Sequence, residues 1–145
     1  KLITASRGVQ LVAQRTLDEV MNDTFSMVVL PGGLPGADYL NEDERIIKLL
    51  KKTVQQGGIS AAICAAPKVL VTAGLLDEKK ATSYPGVIDK NPALGMQYID
   101  LPVVEDGQVI TSRGPGTAID FALTLIEKLK GKKVRLTVEA ALVRG

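Results

Sequence analysis

The residue best suited to covalent chemistry is Cys64, the only cysteine among 145 residues. It follows an apolar run over residues 58–63, which predicts a short buried strand. Pro67 comes three residues later and suits the first turn of a helix. Small residues on both sides of Cys64 favour a tight strand-to-helix turn. Because a helix N-terminus favours a thiolate over a thiol, the pattern predicts a reactive cysteine on a nucleophile elbow.

A second interpretation of Cys64 stays open, because a lone free cysteine is often an inert part of the core. The chain contains no histidine. This excludes a Cys–His dyad, a Ser-His-Asp triad and any histidine metal site within the chain. Chemistry at Cys64 must therefore use backbone N–H groups, a carboxylate, or groups from another chain.

Composition indicates one globular domain over residues 1–145, with 46% hydrophobic and 23% charged residues. The net charge of +2 is too small to indicate a nucleic acid or membrane partner. A basic run within residues 128–135 is interpreted as the solvated end of a helix. A single cysteine cannot form an internal disulfide, so we expect a reducing, cytoplasmic compartment.

The order of elements predicts an α/β fold, because strand-like runs alternate with helical ones. The continuous apolar run at residues 25–30 is typical of a parallel strand buried on both faces. Thr16 is expected to cap a short helix, and Asn41 a longer one that closes at residues 57–58. An Asp-Gly pair at residues 106–107 predicts a hairpin turn between two strand-like arms.

Three loops follow strand-like runs: residues 31–33, the Cys64 turn and residues 113–116. Ligand sites in α/β sheets lie beyond the carboxyl ends of the strands, so these loops should surround one pocket. Neither glycine-rich loop matches a phosphate-binding or dinucleotide-binding motif. We instead expect an oxyanion hole formed by the N–H groups of Ala65 and Gly33.

Residues 28–33, 61–67 and 111–117 carry three motifs whose order and spacing resemble the ThiJ/PfpI superfamily. The most similar branch contains the Parkinson-associated protein deglycase and its bacterial relatives. The resemblance covers essentially the whole chain. It implies a flavodoxin-like three-layer sandwich with a mainly parallel sheet, a homodimer, and Cys64 as the nucleophilic, oxidation-sensitive residue.

The resemblance also assigns expected roles to other residues. Gly33 and Ala65 would fall on the backbone oxyanion donors, and Arg7 on an arginine that approaches the partner's site in dimers. Pocket positions would fall on Gly32, Tyr84, Arg113 and Pro115. Tyr84 stands where many relatives carry a histidine; its hydroxyl can donate a hydrogen bond but is a poor base near neutral pH. It could equally be a packing residue at the pocket rim.

The resemblance further implies an opening strand, helix and strand, with a glutamate that contacts the cysteine. That opening is not found in this chain, so we expect an N-terminally truncated or cleaved fragment. A separate N-terminal segment would then supply the acid partner of Cys64. We also expect the sheet of residues 1–145 to have a gap between its strands, filled by a strand from that segment.

Two functions follow as expectations. The first is a cofactor-free, metal-free enzyme of the glyoxalase or protein deglycase type, which attacks small reactive carbonyls through a Cys64 hemithioacetal. The second is a non-catalytic redox sensor or stress chaperone that uses oxidation of Cys64.

Overall fold

The structure is a computed structural model that describes residues 1–145. Its strands are β1 (Leu2–Thr4), β2 (Gln10–Val12), β3 (Met27–Leu30), β4 (Ile59–Ile63), β5 (Lys80–Ala81), β6 (Gln97–Tyr98), β7 (Val103–Asp106) and β8 (Val109–Ser112). Its helices are α1 (Leu17–Val20), α2 (Gly36–Glu42), α3 (Glu44–Gln55), α4 (Pro67–Thr72), α5 (Ala118–Lys130) and α6 (Lys132–Ala141). Strands and helices alternate through most of the chain, as the sequence predicts.

The main sheet has four strands in the order β3-β4-β8-β7. The strands β3, β4 and β8 run parallel, and β7 pairs antiparallel with β8 through the predicted Asp-Gly turn. Gly107 has φ +58° in that turn, a conformation that glycine adopts without a steric penalty. The predicted α/β fold with a mainly parallel sheet is therefore confirmed.

Helices cover both faces of this sheet, because successive strand residues point to opposite sides. Ala62 of β4 packs in the larger apolar cluster, with α3 and α4 side chains that include Leu50 and Leu70. The neighbouring Ala61 packs in a second cluster, with Phe121 of α5. The result is the three-layer sandwich that the sequence predicts. No helix is both long enough and apolar enough to cross a bilayer.

The helix starts match the sequence analysis in one case and differ in another. Thr16 caps α1 in a capping box with Glu19, as predicted. The expected cap at Asn41 is wrong, because Asn41 lies inside α2 and Asp43 caps α3. Asp43 accepts a hydrogen bond from the backbone N–H of Arg45 at 3.0 Å. The Arg45 side chain also donates to this carboxylate, which lowers the pKa of Asp43.

The expected gap in the sheet is also wrong, because its four strands are contiguous. Its two edge strands are β3, which pairs only with β4, and β7, which pairs only with β8. Val29 of β3 is 43% exposed. The β1–β2 hairpin forms a separate small sheet, and all six of its strand residues are exposed.

Candidate active site

Cys64 lies directly beyond the carboxyl end of β4, in the left-handed region of backbone conformation. Its φ is +65°, which is uncommon for any residue other than glycine. Two hydrogen bonds hold this conformation: the N–H of Cys64 donates to the carbonyl of Ser112 at 3.0 Å, and its carbonyl accepts from the N–H of Tyr84 at 2.9 Å. The residue is partly exposed, which does not match a fully buried core cysteine.

Gly32 lets the end of β3 approach the cysteine closely. A Cβ atom at position 32 would lie 2.6 Å from the Cβ of Cys64 and 3.3 Å from its sulfur. It would also lie 2.9 Å from the carbonyl oxygen of Ile63. Because these contacts involve backbone and a fixed Cβ, no side-chain rotation relieves them. Only glycine fits between the two strand ends.

Gly32→Ala is therefore expected to lower the free energy of unfolding by about 1–3 kcal/mol, the usual cost of forcing an extra methyl group into a packed region. It should also slow alkylation of Cys64 by iodoacetamide. Gly36→Ala is the matched control, because a Cβ at position 36 meets nothing within 4 Å. Urea unfolding measures both variants, and equal stability of the two would contradict the steric account.

The three predicted loops meet around one cavity of about 800 Å³. The parallel strands β3, β4 and β8 end on the same edge of the sheet, so the loops that follow them converge. Seven of the predicted site residues line this cavity: Arg7, Gly32, Gly33, Cys64, Ala65, Tyr84 and Pro115. The structure thus brings together the residues that the sequence analysis grouped.

Two backbone N–H groups beside the thiol have no hydrogen-bond acceptor within the chain. They belong to Gly33 and Ala65, and both residues line the cavity. Ala65 is only 6% exposed. Buried N–H groups are nearly always paired, so an unpaired one at a cavity wall is a donor suited to a ligand oxygen. That the Gly33 and Ala65 N–H groups act as oxyanion donors stays a prediction.

The cavity has one charged side chain, Arg7, and no carboxylate among its lining residues. Arg7 reaches it from the turn between β1 and β2 of the same chain. Whether it also approaches a second subunit stays a prediction. Arg113 differs from expectation: it does not line this cavity but an adjoining one, and its guanidinium contacts Asp100 at 2.5 Å. Arg113 follows the end of β8, where neighbouring side chains point to opposite sides.

The cavity wall also contains Gly114, which belongs to the predicted loop 113–116, and five residues that sequence reasoning did not assign to it: Ser6, Leu34, Ile63, Val87 and Ala118. Ser6 precedes Arg7, and Leu34 follows Gly33, so each extends a segment already assigned to the site. No sequence signal would have placed Val87 at the cavity. It follows a turn, and the direction in which the chain leaves that turn cannot be predicted from the sequence. Ala118 begins α5, directly after the third loop.

Comparison with known proteins gives one family and several relatives. The model of the DJ-1/PfpI family matches residues 1–128. Protein dj-1beta of Drosophila melanogaster is 44% identical over 145 residues, which cover 97% of this chain and 76% of that protein. Glutathione-independent glyoxalase DJR-1.2 of Caenorhabditis elegans is 42% identical, over 89% of this chain and 68% of that protein.

The length of the relatives varies. Protein DJ-1 homolog A of Arabidopsis thaliana is 42% identical over 90% of this chain, but the chain spans only 34% of that protein.

Among solved structures, the crystal structure of Drosophila melanogaster DJ-1beta superposes with a TM-score of 0.93 at 40% identity, covering 100% of this chain and 78% of that one. Toxoplasma gondii DJ-1, solved in an oxidized form, gives 0.91 at 37% identity, covering 99% and 78%.

The family match, the superposition and the geometry of the site all support the same assignment. The family model spans most of the chain, and the superposition on DJ-1beta covers all of it. The cysteine turn, the glycine pair after β3 and the loop after β8 meet at one cavity. The chain belongs to the DJ-1/PfpI family.

Proposed function

We propose that the chain forms the active site of a cofactor-free enzyme that converts small 2-oxoaldehydes such as methylglyoxal to 2-hydroxy acids. The observation that carries this proposal is the partly exposed Cys64 thiol in a cavity that also presents two unpaired N–H groups. A relative at 42% identity bears the name glutathione-independent glyoxalase. Deglycation of early carbonyl adducts would begin with the same attack on carbon.

The reaction begins when the Cys64 thiolate adds to the aldehyde carbon, which forms a C–S bond and a hemithioacetal oxyanion. The N–H groups of Gly33 and Ala65 stabilise that oxyanion. A base then moves the proton from the former aldehyde carbon to the neighbouring carbon, which gives a thioester of the 2-hydroxy acid. Water hydrolyses the thioester and releases the acid and the thiolate. Atoms and electrons balance without an external oxidant or reductant.

The base in this sequence is proposed to be a carboxylate from outside residues 1–145. The cavity wall contains no acidic residue, and the chain contains no histidine. We propose that a separate N-terminal segment provides this acid. A homodimer, with Arg7 near the subunit boundary, is a further proposal that follows from the exposed β1–β2 hairpin.

Turnover of methylglyoxal in the absence of glutathione tests the proposed activity; this test and the other turnover tests use protein that includes the proposed N-terminal segment, unless residues 1–145 alone are named. The assay follows loss of methylglyoxal and formation of lactate, with chiral analysis of the product. Boiled protein is the control for reaction of methylglyoxal with surface lysine and arginine side chains. Loss of methylglyoxal without lactate would contradict the isomerisation and leave only adduct formation.

Redox sensing is the second candidate, favoured by the same unpaired donors. A relative at 37% identity, Toxoplasma gondii DJ-1, has been solved in an oxidized form. A cysteine sulfinate carries oxygen atoms that can accept hydrogen bonds from the N–H groups of Gly33 and Ala65. Dilute peroxide should then add two oxygen atoms to the Cys64 peptide, as measured by mass spectrometry, without further oxidation to the sulfonate. Direct progression to the sulfonate would contradict this role.

Both functions require an accessible, nucleophilic thiol. We therefore expect iodoacetamide to alkylate Cys64 in the native protein at least several times faster than in protein unfolded by urea at the same pH. The reason is that Cys64 is a partly exposed residue on the wall of a cavity whose one charged lining residue is Arg7, a setting typical of reactive cysteines. Rate constants come from intact mass spectra taken over time. A native rate equal to or below the unfolded rate would contradict both functions.

A further inference from the structure

Two cavities meet at Tyr84. The first is the cavity of about 800 Å³ that contains Cys64, and the second has a volume of about 290 Å³. We call them the Cys64 cavity and the adjoining groove; the groove is lined by Pro85, Arg113, Gly116 and Thr117 together with three shared residues. The shared residues are Tyr84, Gly114 and Pro115. Tyr84 is the only one of the three with a large side chain.

A rigid turn holds the backbone of Tyr84 at this boundary. The N–H of Val87 donates to the carbonyl of Tyr84 at 3.1 Å, and Gly86 has φ +91°. Proline at the second position and glycine with positive φ at the third define a type II turn. The Asp89 carboxylate accepts from the N–H of Gly86 at 2.7 Å. With the N–H of Tyr84 already donating to Cys64, the residue is fixed relative to the thiol.

The ring of Tyr84 lies against the backbone of Gly114. A Cβ at position 114 would approach Cδ2 of the ring to 3.3 Å. The residue is 52% exposed, and its hydroxyl makes no hydrogen bond within the chain. No polar contact of the hydroxyl therefore accounts for the position of the ring. What the residue contributes to the site is the shape of its ring.

We propose that Tyr84 is a specificity-determining residue whose ring separates the Cys64 cavity from the adjoining groove. The ring restricts reaction at the thiol to compounds with short substituents, such as small 2-oxoaldehydes. Removing the ring joins the two spaces and admits compounds with a long or aromatic substituent. The carbonyl part of this inference rests on the proposed function, whereas access to the thiol can be measured independently of it.

Alkylation of Cys64 by two reagents with the same reactive group measures that access. Iodoacetamide is the short reagent and N-benzyliodoacetamide is the long one. Tyr84→Ala is expected to raise the ratio of the long-reagent rate to the short-reagent rate at least tenfold. Tyr84→Phe should keep the ratio within twofold of the original, because it retains the ring. Tyr39→Ala is the matched control, since Tyr39 is also exposed but lines neither cavity.

The outcomes separate the inference from the proposed function. An unchanged ratio in Tyr84→Ala, or an equally raised ratio in Tyr84→Phe, would overturn the role of the ring. If Tyr84→Ala does not fold, Tyr84→Leu takes its place, with an expected rise of at least threefold; an unchanged ratio there would overturn the role as well. Turnover of phenylglyoxal relative to methylglyoxal should rise in parallel. Absence of turnover of both by the unsubstituted protein would contradict the proposed function while the alkylation ratio still decides the role of Tyr84.

Discussion

Cys64→Ser should lower the turnover of methylglyoxal by roughly a thousandfold or more, because serine supplies the same geometry with a far weaker nucleophile. Serine is also a close structural substitute at position 64, although the backbone there has an unusual conformation. The two hydrogen bonds that hold φ at +65° use only backbone atoms, so they persist in the variant. Lactate formation over time, compared at equal protein concentration, measures the effect.

Two controls separate lost chemistry from lost structure. The thermal transition of Cys64→Ser should lie within a few degrees of the original, since the substitution exchanges one small side chain for another. Tyr39→Phe, on an exposed part of α2, should retain full turnover. Substantial turnover by a folded Cys64→Ser variant would contradict covalent catalysis and would place the reaction on another group of the cavity.

The site could be predicted largely because parallel topology places strand ends together. Once β3, β4 and β8 are recognised as parallel, the loops after them must share one edge of the sheet. For this reason one cavity is lined, as expected, by Gly32, Cys64 and Pro115. Arg113 did not, because its side chain leaves the end of β8 toward Asp100. The direction of a side chain depends on tertiary contacts, which the sequence pattern does not specify.

Prediction of the fold from the sequence has a similar limit. Asn41 and Asp43 are both good capping residues, and the sequence pattern around each allows a helix start. Asp43 caps α3 because α2 runs through Asn41, whose side chain accepts a hydrogen bond from Thr72 at 2.6 Å. That contact joins residues far apart in the chain. The order of strands in the sheet, and hence the free edge of β3, likewise depends on tertiary pairing.

The residues of β3 are unusual for an edge strand. Exposed edges are normally protected by lysine, proline, a bulge or a covering loop. The strand Met27–Leu30 contains neither lysine nor proline, and Val29 is 43% exposed. A strand of this composition is typical of the interior of a parallel sheet. We propose that the edge pairs with a strand from outside residues 1–145, and that the same segment carries the acid that contacts Cys64.

A polypeptide of residues 1–145 alone is therefore expected to aggregate and to lack turnover, because it combines an apolar free edge with a cavity that has no carboxylate. Val29→Lys in that polypeptide is the informative variant. A charge on the edge strand should reduce aggregation, seen by light scattering, without restoring lactate formation, since the missing base is unaffected. A monodisperse, cooperatively unfolding polypeptide that turns over methylglyoxal would contradict the proposal, and the proton transfer would then belong to residues of this chain.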